Sequence, residues 1–273
     1  MIGLITGNHP RHLFLGSKLI DTGLVKCWVI EKRENFIPDS SFIINKELRD
    51  LFDLHFQKRE EAEEHWFKKR SYSPNDIDSI TINENEQNSD SVKKFFRKHS
   101  CDFIMSYGCH LLDEEILSLS NYESINIHGG LSPWYKGVIT HFWPSYNLEP
   151  ELTGMTLHKL TKKIDGGSII HQTKADLVSG DGLHKHAGRL VSKFVDELYD
   201  ISPLLLEQKK FLPSTSQKKT GRLWTGNMWR PEHLLVIYKH FEDRIVDFCI
   251  ENSISSNIKE SELIYFPSGK HNE

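Results

Sequence analysis

The chain has 273 residues, with 34 Lys and Arg against 38 Asp and Glu, a formal charge of −4 at pH 7 and 38% hydrophobic residues. That length allows one large core plus a small appendage, and the mild acidity supplies no general pull toward nucleic acid. No stretch approaches the ~20 apolar residues of a membrane span, and Met1–Gly7 lacks the basic leader and long apolar run of a signal peptide, so a soluble, cytoplasmic protein is expected.

In chain order, Ile2–Thr6 reads as a buried strand, residues 11–22 as a helix closed by Gly23, and Val25–Ile30 as a second strand. This β-α-β opening predicts a parallel sheet with helices on its faces. Gly7 opens the first loop but is not followed by G-x-G-x-x-G, so a dinucleotide site is not expected. Residues 44–70 predict a charged helix with Leu48, Leu51, Phe52, Leu54, Phe56, Trp66 and Phe67 as its apolar stripe. His55, Arg59, Glu63 and His65 fit the solvated face of such a helix. A short strand around Ile77–Ile82, a loop over 84–90 and a helix over 91–98 follow.

Strands are predicted over 102–106 and 124–128, with a helix over 112–119 between them. Further strands over 155–160 and 168–173 flank the loop that holds Asp165, and residues 181–206 predict a long amphipathic helix. Residues 213–221 read as a linker. Arg222–Trp229 predicts a β-hairpin turning at Gly226-Asn227, and residues 231–246 a helix with Pro231 in its first turn. Residues 253–273 read as a polar tail. Cys27, Cys101, Cys109 and Cys249 show no C-x-x-C spacing and fit free thiols in a reducing compartment. None of the 15 histidines forms His-x-x-x-His with an acidic partner on a clear helix, so no metal is expected. His141 and His171 read as ordinary surface or core residues.

The stretch Ser124-Ile-Asn-Ile-His-Gly-Gly-Leu-Ser-Pro-Trp-Tyr-Lys-Gly137 carries most of the chemistry. Asn126 and His128 are two apart, so in a strand they point to one face. Gly129 and Gly130 end the strand and Pro133 fixes a turn. A polar pair at a strand end beside a glycine loop is a common place for catalysis. With Thr153-Gly154-Met155-Thr156-Leu157-His158 and Ile164-Asp165-Gly166-Gly167, this pattern resembles the 10-formyltetrahydrofolate-dependent formyltransferases, in the family's order and spacing. The resemblance covers roughly residues 1–200.

It implies a Rossmann-like α/β formyltransferase fold, a mostly parallel sheet flanked by helices. The catalytic domain would occupy residues 1–210, and residues 211–273 would form a small hairpin-helix extension. It also implies that Asn126, His128 and Asp165 are the catalytic trio. The chemistry needs those types. An amine attacking a formyl carbon builds negative charge on oxygen, which Asn126 or a protonated His128 can meet with a hydrogen bond. The amine must lose a proton, and imidazole titrates near neutrality. A nearby carboxylate orients the ring and favours its cation. The folate pocket would use Met105, Tyr107, Gly108 and Leu112, together with His158 and Ile164, and 10-formyltetrahydrofolate would be a co-substrate with no metal.

The acceptor is argued from the flanking residues. A tRNA acceptor calls for a further nucleic-acid-binding domain, and the chain past residue 221 is short for one. The glycinamide ribonucleotide branch carries a glycine- and serine-rich loop after its first strand, where this chain has Thr6-Gly-Asn-His-Pro-Arg-His12. Gly130–Gly137, Phe142-Trp143-Pro144 and Trp229–Leu234 are similar to the sugar N-formyltransferases of bacterial surface-polysaccharide synthesis. That implies a dTDP- or GDP-linked amino sugar as partner, contacted by Arg11, Trp134, Tyr135, Lys136 and Trp143 through ring packing and phosphate pairing. Hydrolysis of the folate, another amine acceptor, and a silent binding protein remain open. The Trp224–Trp229 segment suggests a homodimer contact.

Overall fold

The computed structural model describes residues 1–67, 77–209, 212–218 and 221–266. The chain runs β1 (Ile2–Gly7), α1 (Pro10–Ile20), β2 (Val25–Glu31), α2 (Lys46–Phe67), β3 (Asp78–Ile82), α3 (Asp90–His99), β4 (Phe103–Tyr107), α4 (Glu114–Leu117) and β5 (Glu123–His128). It continues through β6 (Tyr135–Gly137), α5 (Trp143–Tyr146), β7 (Gly154–Lys159), β8 (Ile169–Lys174), α6 (Leu183–Gln208), β9 (Arg222–Trp224) and α7 (Ile245–Glu251). The main sheet has the order β3-β2-β1-β4-β5-β7-β8. Its first five strands are parallel and β7 and β8 are antiparallel.

The sheet is covered on both faces, which is why β1 and β4 are buried at every residue. Strand alternation divides their side chains. Leu4, Trp28, Phe103 and Met105 pack under α1 and α6, while Ile5, Val29 and Ile104 pack against Phe95 and Phe96 of α3. The helix α6 supplies its stripe of Leu190, Val191, Phe194, Leu198, Ile201 and Leu205 to the first of these cores. The strand order turns outward in both directions at β1 and β4. Sheets of this kind leave a crevice at the carboxyl ends of those strands.

The C-terminal region departs from the expected hairpin and long helix. β9 pairs in parallel with β6, with Gly137 opposite Trp224, and a 3₁₀ turn follows at Gly226–Met228. Trp224 is drawn there because its ring stacks on Trp143 at 4.2 Å and beside Tyr135. The helix expected over 231–246 is broken into a 3₁₀ turn, a π turn over Leu235–His240 and α7. Asp243 explains the break. Its backbone is left-handed and its carboxylate accepts the Leu183 amide at 2.9 Å, capping α6.

Residues 253–266 are also anchored. Ile264 donates its amide to Gln172 at 3.0 Å, and Phe266, 1% exposed, donates to His171 at 3.1 Å. The rest of the expected polar tail, 267–273, lies outside the described residues, as do 68–70 of the charged helix and 219–220 of the linker. Leu234, Ile237, Tyr238 and Ile245 share a core with Leu131, Tyr135, Phe142 and Trp143. Within the segment proposed for dimer contact, Trp224 is 5% exposed and Trp229 packs near Phe52 and His55, while residues 225–228 are exposed. Among the described residues no helix is long and apolar enough to cross a membrane.

Candidate active site

A cleft of about 750 Å³ opens at the carboxyl ends of β1, β4 and β5. Asn126, His128 and Asp165 meet on one wall of it. The strand β5 brings the first two to the same side, and β7 and β8 hold the Asp165 loop against them. Gln217 braces that loop by donating to the carbonyls of Asp165 at 2.7 Å and Gly167 at 2.8 Å. This brace comes from the expected linker and was not read from the sequence.

The hydrogen bonds assign each group's atoms. His128 Nε2 lies 2.9 Å from the Tyr135 carbonyl, which can only accept, so Nε2 carries the proton and Nδ1 keeps its lone pair. Nδ1 faces Asp165 Oδ2 at 3.4 Å. Asp165 also sits 3.5 Å from His158 Nε2 and accepts the Gly137 amide at 2.7 Å. Burial pushes His128 below the ordinary histidine value, against the pull of Asp165. Burial acts to raise the Asp165 carboxyl, but His128, His158 and the Gly137 amide outweigh it and hold it below the usual carboxylate range. At neutral pH the site therefore contains a neutral imidazole beside a carboxylate.

Asn126 is held at both ends of its amide. Ser106 donates to Oδ1 at 2.7 Å. Asn126 Nδ2 donates to His158 Nε2 at 3.2 Å, while His158 Nδ1 donates to the Lys159 carbonyl at 2.9 Å. One N–H of Asn126 is thus spent and the other is left for the cleft. Gly130 lets the turn pass His128 closely, since a Cβ there would come within 2.3 Å of Nε2. Thr156 Oγ1 donates to the Gly130 carbonyl at 2.7 Å and fixes that turn.

Of the expected folate residues, Tyr107, Gly108, Leu112, His158 and Ile164 line the cleft, with Asn126 and His128 beyond them. Met105 does not: it is 1% exposed and belongs to the core under α1 and α6, because its strand position points away from the cleft. Gly108 has a left-handed backbone, and a Cβ on it would meet the His12 ring at 2.3 Å. Leu111, Val138, Ile139 and Ile164 are among the most exposed apolar residues of the protein, and all face this part of the cleft.

Of the expected acceptor residues, only Arg11 lines the cleft. Its guanidinium pairs with the buried Glu63 and donates to His141 Nδ1 at 3.1 Å. Tyr135 and Trp143 are corrected to core residues, 4% and 2% exposed, because their rings stack against Trp224 and Tyr135 OH donates to Glu149 at 2.5 Å. Lys136 lies in β6 and Trp134 just before it, both off the cleft wall.

Residues read as ordinary take their place there. His55 and Glu63 are buried, not solvated: His55 and Arg59 line the cleft and Glu63 sits behind its wall, paired with Arg11, whereas His65 is exposed. His141 also lines it, held neutral by burial and by Arg11. The i, i+4, i+8 spacing of His55, Arg59 and Glu63 was the available signal. A polar stripe facing a cleft looks in sequence like one facing water. Among the described residues no group of three His, Cys, Asp or Glu side chains is placed to hold a metal ion.

The formyl transferase family model matches residues 45–198, more than half of the chain. Solved structures share the fold. The N-formyltransferase from Helicobacter canadensis in complex with folinic acid and dTDP-3-aminofucose is 17% identical, with a TM-score of 0.53 over 84% of this chain and 73% of that one. The formyltransferase PseJ from Anoxybacillus kamchatkensis, in complex with UDP-4,6-dideoxy-4-formamido-L-AltNAc and tetrahydrofolate, is 16% identical, with 0.51 over 90% and 96%. Phosphoribosylglycinamide formyltransferase from Anaplasma phagocytophilum is 16% identical, with 0.52 over 82% and 98%. Strand order, the cleft at its turning point and the matched span of sequence agree: the chain belongs to the formyl transferase family.

Proposed function

We propose that this enzyme transfers a formyl group from 10-formyltetrahydrofolate to the primary amine of a nucleotide-linked amino sugar. The observation that carries the reading is the convergence of Asn126, neutral His128 and ionised Asp165 on one wall of a cleft large enough for two substrates. The exposed apolar rim of Leu111, Val138, Ile139 and Ile164 fits the flat, amphipathic ring system of a folate. Bound there, 10-formyltetrahydrofolate supplies the activated formyl group.

The chain's own residues then act as follows. The free N–H of Asn126 donates to the formyl oxygen as negative charge gathers on it, a role worth roughly 10²–10³ in rate. His128 Nδ1, left bare by the Tyr135 contact, takes the proton that the amine gives up. Asp165 stabilises the imidazolium so formed and holds the ring. As the tetrahedral adduct collapses, the bond between the formyl carbon and folate N10 breaks, His128 returns the proton to N10, and tetrahydrofolate leaves. Ser106 and His158 fix the amide of Asn126. We place this apparatus within residues 1–210, with 211–273 bracing it through Gln217 and Trp229, in a cytoplasmic protein.

The sugar acceptor is supported by the ligands of the Helicobacter and Anoxybacillus proteins and by the sequence pattern at Gly130–Gly137. Folate consumption with dTDP-, GDP- and UDP-linked amino sugars, with glycinamide ribonucleotide and with no amine tests the reading. Amine-dependent consumption with a nucleotide sugar supports it. Preference for glycinamide ribonucleotide, the acceptor favoured by the Anaplasma likeness, contradicts it, as does equal formate release without any amine.

A further inference from the structure

The wall of the cleft formed by α1 and α2 carries charge that the formyl-transfer step does not use. Arg11 and Arg59 share one carboxylate, Glu63, which is 2% exposed. Arg11 takes nearly all of it, through its guanidinium and through its backbone amide at 3.1 Å. Arg59 Nε stands 4.0 Å from the same carboxylate, beyond a hydrogen bond. Among the described residues Arg59 has no closer carboxylate. At the rim, Glu34 is paired with Arg33 at 3.1 Å and compensates Arg59 only in part, from beyond ion-pair distance.

The plane of Arg59 is nonetheless fixed, 4.4 Å over the Phe36 ring. Burial and Arg11 push it down to about 10, so the cation is held where it is poorly compensated. The neighbouring His9, His55 and His184 are all lowered by burial, so they offer polar atoms without adding charge. A planar guanidinium held rigid, desolvated and short of a partner matches the geometry and charge of a phosphate.

The order of contacts along the wall gives the direction. Asp165 and His128 are followed by His141, which lies 3.5 Å from where a side chain on Gly129 would begin, then by Arg11, Glu63 and Arg59. The anion end is thus several side chains removed from the trio, as suits an extended acceptor with its amine at one end and phosphate at the other.

We propose that Arg59 is the phosphate contact of the acceptor, with Glu63 limiting the strength of the site by its hold on Arg11. This rests on the acceptor sharing the cleft with the trio, as in the reading above. Calorimetric titration of the full chain with inorganic pyrophosphate tests it. The wild type should bind, and Arg59→Gln should weaken binding roughly tenfold or more, with Arg59→Lys losing less. Glu63→Gln should tighten binding, because both guanidiniums are then uncompensated. If that buried substitution does not fold, the two Arg59 variants decide the matter.

Affinity unchanged in Arg59→Gln, or no binding to the wild type, would overturn the assignment. Parallel titrations identify the source of the phosphate. Tighter Arg59-dependent binding of dTDP than of ribose 5-phosphate assigns a diphosphate, and the reverse assigns a phosphomonoester acceptor. Loss of the sugar-transfer reading with Arg59-dependent pyrophosphate binding intact would remove the acceptor and leave the anion site.

Discussion

His128 and Asp165 stand 3.4 Å apart in opposite situations, one pushed toward neutrality by burial and the other kept ionised by its neighbours. On the proposed mechanism the bare Nδ1 must be neutral to accept a proton. Because burial lowers its pKa, kcat/KM should be flat near neutrality and fall on acidification with a midpoint below the ordinary histidine value of about 6.5. Asp165→Asn removes the upward pull, so the midpoint should move further down while the rate falls. A midpoint above the ordinary value would contradict the assignment.

Replacing His128 by Asn should cost roughly 10²–10⁴ in transfer while folate binding persists. Ser106 acts one step back. Ser106→Ala leaves Asn126 Oδ1 without its 2.7 Å donor and frees the amide to turn over. It should lower kcat roughly five- to tenfold, the worth of about one hydrogen bond, with KM for folate unchanged. Equal losses in kcat and folate affinity would instead indicate a merely structural role.

At the scale of elements, the part legible in sequence is that set by local periodicity. Alternation in β5 put Asn126 and His128 on one face, and the glycines and Pro133 marked the turn after it. The β-α-β opening, α3, α6 and the β7–β8 pair fell where apolar spacing predicts them. Long-range pairing was not legible. Trp224 joins β6 because of a stack with Trp143, and Asp243 interrupts a helix in order to cap another. The cleft face of α2 was invisible because its polar stripe meets a cavity and not solvent.

The turn after β5 gives a direct test. Gly130→Ala places a Cβ within 2.3 Å of His128 Nε2 and 2.6 Å of the Tyr135 carbonyl, the bond that sets the tautomer. Transfer should drop sharply with far-ultraviolet circular dichroism retained. Gly226→Ala, where nothing lies within 4 Å, should leave both unchanged. Full activity in Gly130→Ala would show that the Tyr135 contact does not matter.

Over the whole molecule, the cleft wall is built from histidines kept neutral. His9, His12, His55, His128, His141 and His184 all lie below the ordinary value chiefly through burial. In the unfolded chain the same rings take up protons near about 6.5, so the unfolded state binds more protons as pH falls past that point. Stability should therefore be full above neutrality and decline between about pH 6.5 and 5, read as a falling Tm. A Tm that holds steady across that interval would mean these rings are not buried as neutral species.

The central claim is that the cleft joins a folate and an amino-sugar nucleotide at Asn126, His128 and Asp165. Mass spectrometry of reactions with 10-formyltetrahydrofolate and a panel of dTDP-, GDP- and UDP-linked amino sugars tests it most directly. The account predicts one added formyl group on a member of the panel, absent when His128→Asn replaces the wild type. Formyl loss from the folate with every sugar unmodified, or an adduct formed equally well by His128→Asn, would contradict it.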